Sequence, residues 1–220
     1  PDLSASAAPS TNATTPASST ASSTQKIPLV NPDGVIVGTK EKFREDIANL
    51  FVAEIDLSGK IVAITNVTNE KSFIPTSISI TDSRVLLAGN EYRAEGVQIG
   101  ALYVISGEKL QASYSYGEKR TQFNKIISRS SKSLVIVGSS GDVLADRKLV
   151  GKIDAVVLTV STTSGKLEKV LRSSGRGAVR SWNFASGNVI VAGTSEVKKV
   201  RESVVTAFSP TGSVTWTARF

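Results

Sequence analysis

The sequence predicts an all-β chain built as a tandem array of four small antiparallel sheets, and three observations predict it. A short apolar phrase ending in glycine occurs four times, as Val35-Ile36-Val37-Gly38, Val85-Leu86-Leu87-Ala88-Gly89, Leu134-Val135-Ile136-Val137-Gly138 and Val189-Ile190-Val191-Ala192-Gly193. From glycine to glycine the steps are 51, 49 and 55 residues, and a period of that size marks an array. A second phrase keeps the same time: a β-rich run closed by a hydroxyl residue and glycine, ending at Ser58-Gly59, Ser106-Gly107, Ser164-Gly165 and Thr211-Gly212. The third observation is a further alternating run after each of those glycines, suited to the return strand of a hairpin.

Taken in order, each unit resolves into four strands. The first strand is Ser77 to Thr81, Lys125 to Ser128 and Val179 to Phe184 in units two to four; in unit one it is Ile27-Pro28-Leu29-Val30, whose proline suits an edge. The glycine phrase is the second strand, reached across polar turns such as Asp82-Ser83 and Ser186-Gly187-Asn188. Leu50 to Leu57, Ala101 to Ile105, Ala155 to Val160 and Val204 to Phe208 form the third. Ile61 to Thr65, Leu110 to Tyr116, Leu167 to Leu171 and Val214 to Phe220 form the fourth. Approximate unit boundaries are 26–74, 75–124, 125–178 and 179–220. Four antiparallel sheets of four strands, each needing neighbours to cover its faces, predict a β-propeller-like array of four blades.

The phrasing also resembles known families. Ala207-Phe208-Ser209-Pro210-Thr211-Gly212-Ser213-Val214-Thr215-Trp216 resembles the blade repeat of quinoprotein-type propellers, and the alternation of a Val-Ile-Val-Ala-Gly phrase with a Ser-Gly hairpin is similar to the secreted bacterial β-propeller repeats called SBBP. The resemblance covers roughly residues 27 to 220. It implies architecture and carries no site residues, because blade signatures describe hairpins.

Composition bounds the chemistry. The 220 residues contain no cysteine and no histidine, which removes thiolate nucleophiles, disulfides and the commonest general base and metal ligand. No apolar run approaches the length of a membrane span. The missing methionine at position 1 points to processing of an upstream secretory or lipoprotein leader, a trimmed start being the alternative, and so to an exported protein at the cell envelope or outside it. Residues 1–25 are almost wholly Ser, Thr, Ala and Pro, a composition that stays disordered or extended and reads as a linker or stalk, or as a frayed terminus.

Function is expected on the loops that a rigid scaffold holds. Connections between second and third strands read as long (Thr39–Asn49, Asn90–Gly100, Ser139–Asp154, Thr194–Ser203) and share one face. The net charge is +7. Arg172, Arg176 and Arg180 stand at spacing four with no acid between them, Arg120 lies in another inter-unit link, and Lys198, Lys199 and Arg201 load the last loop. Together they form either an anion-attracting face or a solvated rim. Nucleic acid is disfavoured, since acids interleave with the cations and no aromatic series is placed for stacking. Asp142 and Asp146 raise a weak Ca²⁺ reading, weakened further by Arg147 and Lys148 beside them. Tyr92, Tyr114 and Tyr116 are open to a sugar-stacking role. No two of Glu45, Asp46, Glu95 and Asp142 are held at a defined separation, so an acid–base glycan hydrolase or lyase is a lesser alternative, and no cofactor is expected. The expectation is a binding or structural module engaging a protein partner or a copy of itself within an assembly, with an acidic glycan or other anionic polymer as the alternative ligand.

Overall fold

A computed structural model describes residues 49–68, 71–107, 109–187 and 189–220. Fourteen strands and no helix occupy them. β1 (Asn49–Ile55) and β2 (Ile61–Thr68) pair alone. β3 (Ser72–Thr81), β4 (Arg84–Ala94), β5 (Val97–Ser106) and β6 (Lys109–Tyr116) form the second sheet; β7 (Thr121–Ser128), β8 (Ser133–Ser140), β9 (Asp154–Ser161) and β10 (Leu167–Ser173) the third; β11 (Val179–Ser186), β12 (Ile190–Val197), β13 (Val200–Phe208) and β14 (Val214–Arg219) the fourth. Each four-stranded sheet is an antiparallel meander in chain order. The tail at 1–25, the first two strands expected in unit one (27–38) and the loop expected after them (39–48) lie outside the described residues.

The recurring glycine has a physical cause. Opposite Gly89, Gly138 and Gly193 the first strand of each sheet carries a bulge, at Pro75/Ser77, Phe123/Lys125 and Trp182/Phe184. A bulge pushes the extra residue's neighbours toward the partner strand. A Cβ on the glycine would meet the carbonyl oxygens of Ile74, Gln122 and Ser181 respectively. Glycine is therefore required by close backbone approach, and the period in the sequence is the period of the bulge.

The residues displaced by the bulges join one sheet to the next. Thr76 Oγ1 donates to the Phe123 carbonyl at 2.8 Å, and Asn124 Nδ2 donates to the Trp182 carbonyl at 2.9 Å. First strands accordingly lie side by side: β7 packs against β3, β4 and β5, and β11 against β7, β8 and β9.

Side chains alternate between two interfaces with the period of a strand. Leu87 faces back with Leu50, Phe73 and Tyr103, while Leu86 and Ala88 face forward onto Phe123, Leu134 and Ile136. In β8, Ile136 faces back and Val135 and Val137 face forward onto Trp182, Val191 and Val204. The glycine phrases of β4 and β8 thus supply both packing faces of their sheets, which is why they are apolar at every position. The outward faces of the array are apolar too: Phe51 and Ile64 on the first sheet, and Phe184, Ile190 and Trp216 on the fourth, are exposed.

Two of the expected long loops are strand. β4 and β5 continue to a turn at Glu95-Gly96, and β12 and β13 to a turn at Lys198-Lys199, whose φ values of 51° and 68° close a two-residue hairpin. Polar residues there extend the ladder beyond the apolar core, so hydrophobicity ends before the strand does. Only Gly141–Ile153, among the described residues, is a genuine long loop between second and third strands.

Candidate functional site

A cleft of about 330 Å³ opens between the third and fourth sheets, beside β10 and β14. The register of the fourth sheet builds its wall. Arg180 pairs with Ser195 and Trp182 with Gly193 across β11–β12, while Arg219 pairs with Val204 and Thr217 with Thr206 across β14–β13. Cross-strand partners share a face, so these side chains all point back toward the third sheet.

Arg180 is held by neutral oxygens: Nε donates to Ser195 Oγ at 3.1 Å, Nη1 to the Ser174 carbonyl at 2.7 Å and to Ser173 Oγ at 3.3 Å. No carboxylate among the described residues pairs with it. Burial, followed by the neighbouring Arg219 charge, pulls its pKa below the ordinary arginine value, against weaker opposition from Asp154 and Glu202. An arginine stays charged through such a shift, so Arg180 brings to the cleft a positive charge with no carboxylate in contact, while its neighbour Arg219 is ion-paired with Glu202. Below it lies Trp182, 1% exposed, whose indole N–H has no acceptor. A buried donor without a partner costs free energy until something accepts from it.

The other arginine of the cleft wall is committed elsewhere. Arg172 Nη1 meets Asp154 Oδ2 at 3.4 Å with side-chain exposures of 7% and 0%, and Nη2 donates to the Asp142 carbonyl. Asp154 also accepts from the backbone of Val150 and Gly151. The expected trio at spacing four is therefore split: Arg172 lines the cleft but is held in a buried ion pair, Arg176 is exposed in the Ser174–Ala178 link, and Arg180 lines the cleft without one. An acid absent from the local sequence reached Arg172 from β9.

The remaining predicted residues lie apart. Arg120 is exposed in the link before β7, while Lys198, Lys199 and Arg201 cluster at the β12–β13 hairpin tip. Asp142 Oδ2 accepts from the backbone N–H groups of Glu118, Lys119 and Arg120 and from Thr121 Oγ1 at 2.7 Å. Burial works to raise its pKa, but these bonds together hold it below the ordinary aspartate value. The carboxylate pins the loop to the Gly117–Arg120 link; Asp146 is exposed on a separate turn, and no group of three or more His, Cys, Asp or Glu able to hold a metal occurs among the described residues. Glu95 sits at an exposed hairpin tip, and Glu45 and Asp46 lie outside the described residues. Tyr92 is half-buried on β4. Tyr114 and Tyr116 do not stand free for stacking: their hydroxyls donate to the carbonyls of Thr163 and Gly165 on the next sheet, at 2.8 and 2.7 Å.

Sequence reasoning missed Arg219 and the Trp182 indole, because both sit on strands while function was sought on loops. A signal for Arg219 exists: counted through the repeat, Arg219 pairs with Val204 as Arg172 pairs with Val156, so the same position bears arginine in consecutive units. The sequence matches no family model and no curated protein.

Proposed function

We propose that this chain is a non-catalytic recognition module of β-propeller architecture that takes an acidic group into the cleft between its third and fourth sheets. The observation that carries the reading is the Arg180 guanidinium, which lines the cleft without a carboxylate partner, together with Arg219, whose ion pair with Glu202 is exposed. A carboxylate, sulfate or phosphate oxygen would complete those donors with charge-assisted hydrogen bonds. The propeller part rests on the repeated bulge and glycine, the adjacent first strands, and the Thr76 and Asn124 bonds that pass from sheet to sheet. The Ser/Thr/Ala/Pro composition of residues 1–25 supports an exported module carried on a stalk.

The test is calorimetric titration with galacturonate, sulfate and phosphate. The wild-type chain binds at least one of them, and the Arg180→Ala, Arg219→Ala double variant loses about tenfold or more in affinity, as expected for charge-assisted bonds. Equal binding by both proteins would overturn the reading.

A second reading has its own observation. Phe184, Ile190 and Trp216 leave the outward face of the fourth sheet apolar and exposed, the kind of surface a protein partner within an assembly covers. Self-association that Trp216→Glu abolishes would establish it; a monomer at all concentrations would remove self-assembly.

A further inference from the structure

Resting on the anion-binding reading, we infer that the ligand is a linear acidic glycan whose successive charged units occupy two subsites along β10. A second depression, of about 350 Å³, adjoins the cleft and shares Arg172, Ser174 and Val214 with it. The two are one groove along the outer strand of the third sheet. Its far end presents Arg147 and Lys148, both exposed and neither ion-paired with a described residue. Positive charge therefore stands at both ends, with Arg180 and Arg219 at one and Arg147 and Lys148 at the other.

Single anions reach one end; a chain with charge on successive units reaches both, and the second contact then forms at high effective concentration. The floor between the ends is closed rather than accidental. Lys169 Nζ is spent on the carbonyls of Pro210 and Thr211, at 3.3 and 2.6 Å, which ties β10 to the β13–β14 turn. Gly212 in that turn sits against Leu171 and Lys169 with φ +95°, where a side chain would be both strained and obstructed.

The lining selects the class of polymer. Ser173 and Thr217 present hydroxyls that, beside their bonds to Arg180 and Thr206, have capacity left for sugar hydroxyls, and exposed Val214 offers apolar wall for sugar C–H groups. Its aromatic rings, Trp182 and Phe208, are buried at 1% and 7% exposure, so no ring face is open for a nucleobase to stack on.

The experiment measures the affinity of the full chain for galacturonic acid, for its oligomers of increasing length, and for polyglutamate and single-stranded DNA of matched charge. A gain of about tenfold or more is expected from monomer to oligomer, then a plateau once the groove is spanned. In the Arg147→Ala, Lys148→Ala double variant, whose replaced side chains are exposed and whose Tm serves as the folding check, the gain shrinks to about threefold or less. Monomer binding with no gain beyond the number of units would overturn this inference and leave the anion site standing. Failure of every galacturonate species, together with sulfate and phosphate, would overturn the anion site itself. Tighter binding of polyglutamate or DNA would overturn the glycan assignment in favour of that polymer.

Discussion

The junction between the second and third sheets and the junction between the third and fourth are built from equivalent positions, yet one is sealed and the other open. At the first, Tyr114 and Tyr116 of β6 reach across to the turn of the next sheet, and Gly165 lies under the Tyr114 ring. At the second, the equivalent positions on β10 are Leu171 and Ser173, which pair with Val157 and Ala155 as the tyrosines pair with Leu102 and Gly100. Leu171 reaches Gly212 of the next turn, whereas Ser173, in the place of Tyr116, is met by the Arg180 side chain. The cleft opens where a serine takes the place of Tyr116, with no change of backbone plan.

Charge obeys the same logic. The third and fourth sheets each hold a serine on the second strand, an acid on the third and an arginine on the fourth: Ser140, Asp154 and Arg172, then Ser195, Glu202 and Arg219. In the third sheet the ion pair is buried; in the fourth, Arg219 and Glu202 are 52% and 37% exposed at 3.2 Å. The first-strand position that faces them is Thr121 in one sheet and Arg180 in the other. Thr121 binds Ser140 and Asp142, whereas Arg180 adds a charge that no acid among the described residues contacts. The constellation is buried where the junction is sealed and exposed where it is open.

The largest expected effect breaks the sealed member. Arg172→Ala leaves Asp154 buried without its counter-charge and lowers unfolding free energy by ~3–5 kcal/mol, read by urea denaturation. Arg219→Ala, at the matching open position, changes stability by under ~1 kcal/mol. If the two cost the same, the distinction between the pairs fails. Next in size, Tyr116→Phe removes the hydroxyl that closes the sealed junction and orphans the Gly165 carbonyl, costing ~1–2 kcal/mol. The Tyr116 hydroxyl is buried, and burial, with Tyr114 nearby, raises its pKa, so no ionisation of this group complicates that measurement at neutral pH. Arg180→Thr, which gives the open junction the residue of the sealed one, abolishes anion binding and costs ~1–2 kcal/mol for the hydrogen bonds to Ser173, Ser174 and Ser195, leaving the chain folded; retained binding would exclude Arg180 from the site.

The smallest effect concerns pH. The cleft's cations are arginines and the chain has no histidine, so affinity for a strong acid such as sulfate stays flat from about pH 5 to 9. Stability does respond in acid. The folded-state pKa of Asp142 lies below its unfolded value, so its contribution is present above the unfolded pKa of about 4 and is lost as pH falls through the folded one. Asp142→Asn should flatten the stability profile in that window, and an unchanged profile would show that the Asp142 cap carries none of it.

The fold was legible to the extent that backbone geometry writes itself into residue type. Glycine at the bulge, apolar alternation on both faces and Ser-Gly turns all leave a mark at fixed spacing, and the second, third and fourth units have the strands expected of them. The hairpin extensions at Asn90–Gly100 and Thr194–Ser203 were not legible, because a ladder continues on backbone hydrogen bonds after its side chains turn polar. The site was half legible. Arg180 stands out as a cation in an inter-unit link, but Asp154, which takes up the charge of Arg172 in the cleft wall, and Arg219, which joins it, come from strands distant in sequence. Charge spacing along a chain misleads where the chain is strand and turn, since neighbours are set by register.

The most direct test of the open cleft tracks the indole N–H resonances of the two tryptophans by NMR as galacturonate is added. Trp182 lines the cleft, and Trp216, on the opposite face of the same sheet, is the internal reference. An open, anion-binding cleft predicts a saturable shift of the Trp182 N–H as the cleft it lines fills, with Trp216 unmoved and the shift absent in Arg180→Thr. A Trp182 resonance that stays in place at saturating ligand, or a shift confined to Trp216, would contradict it.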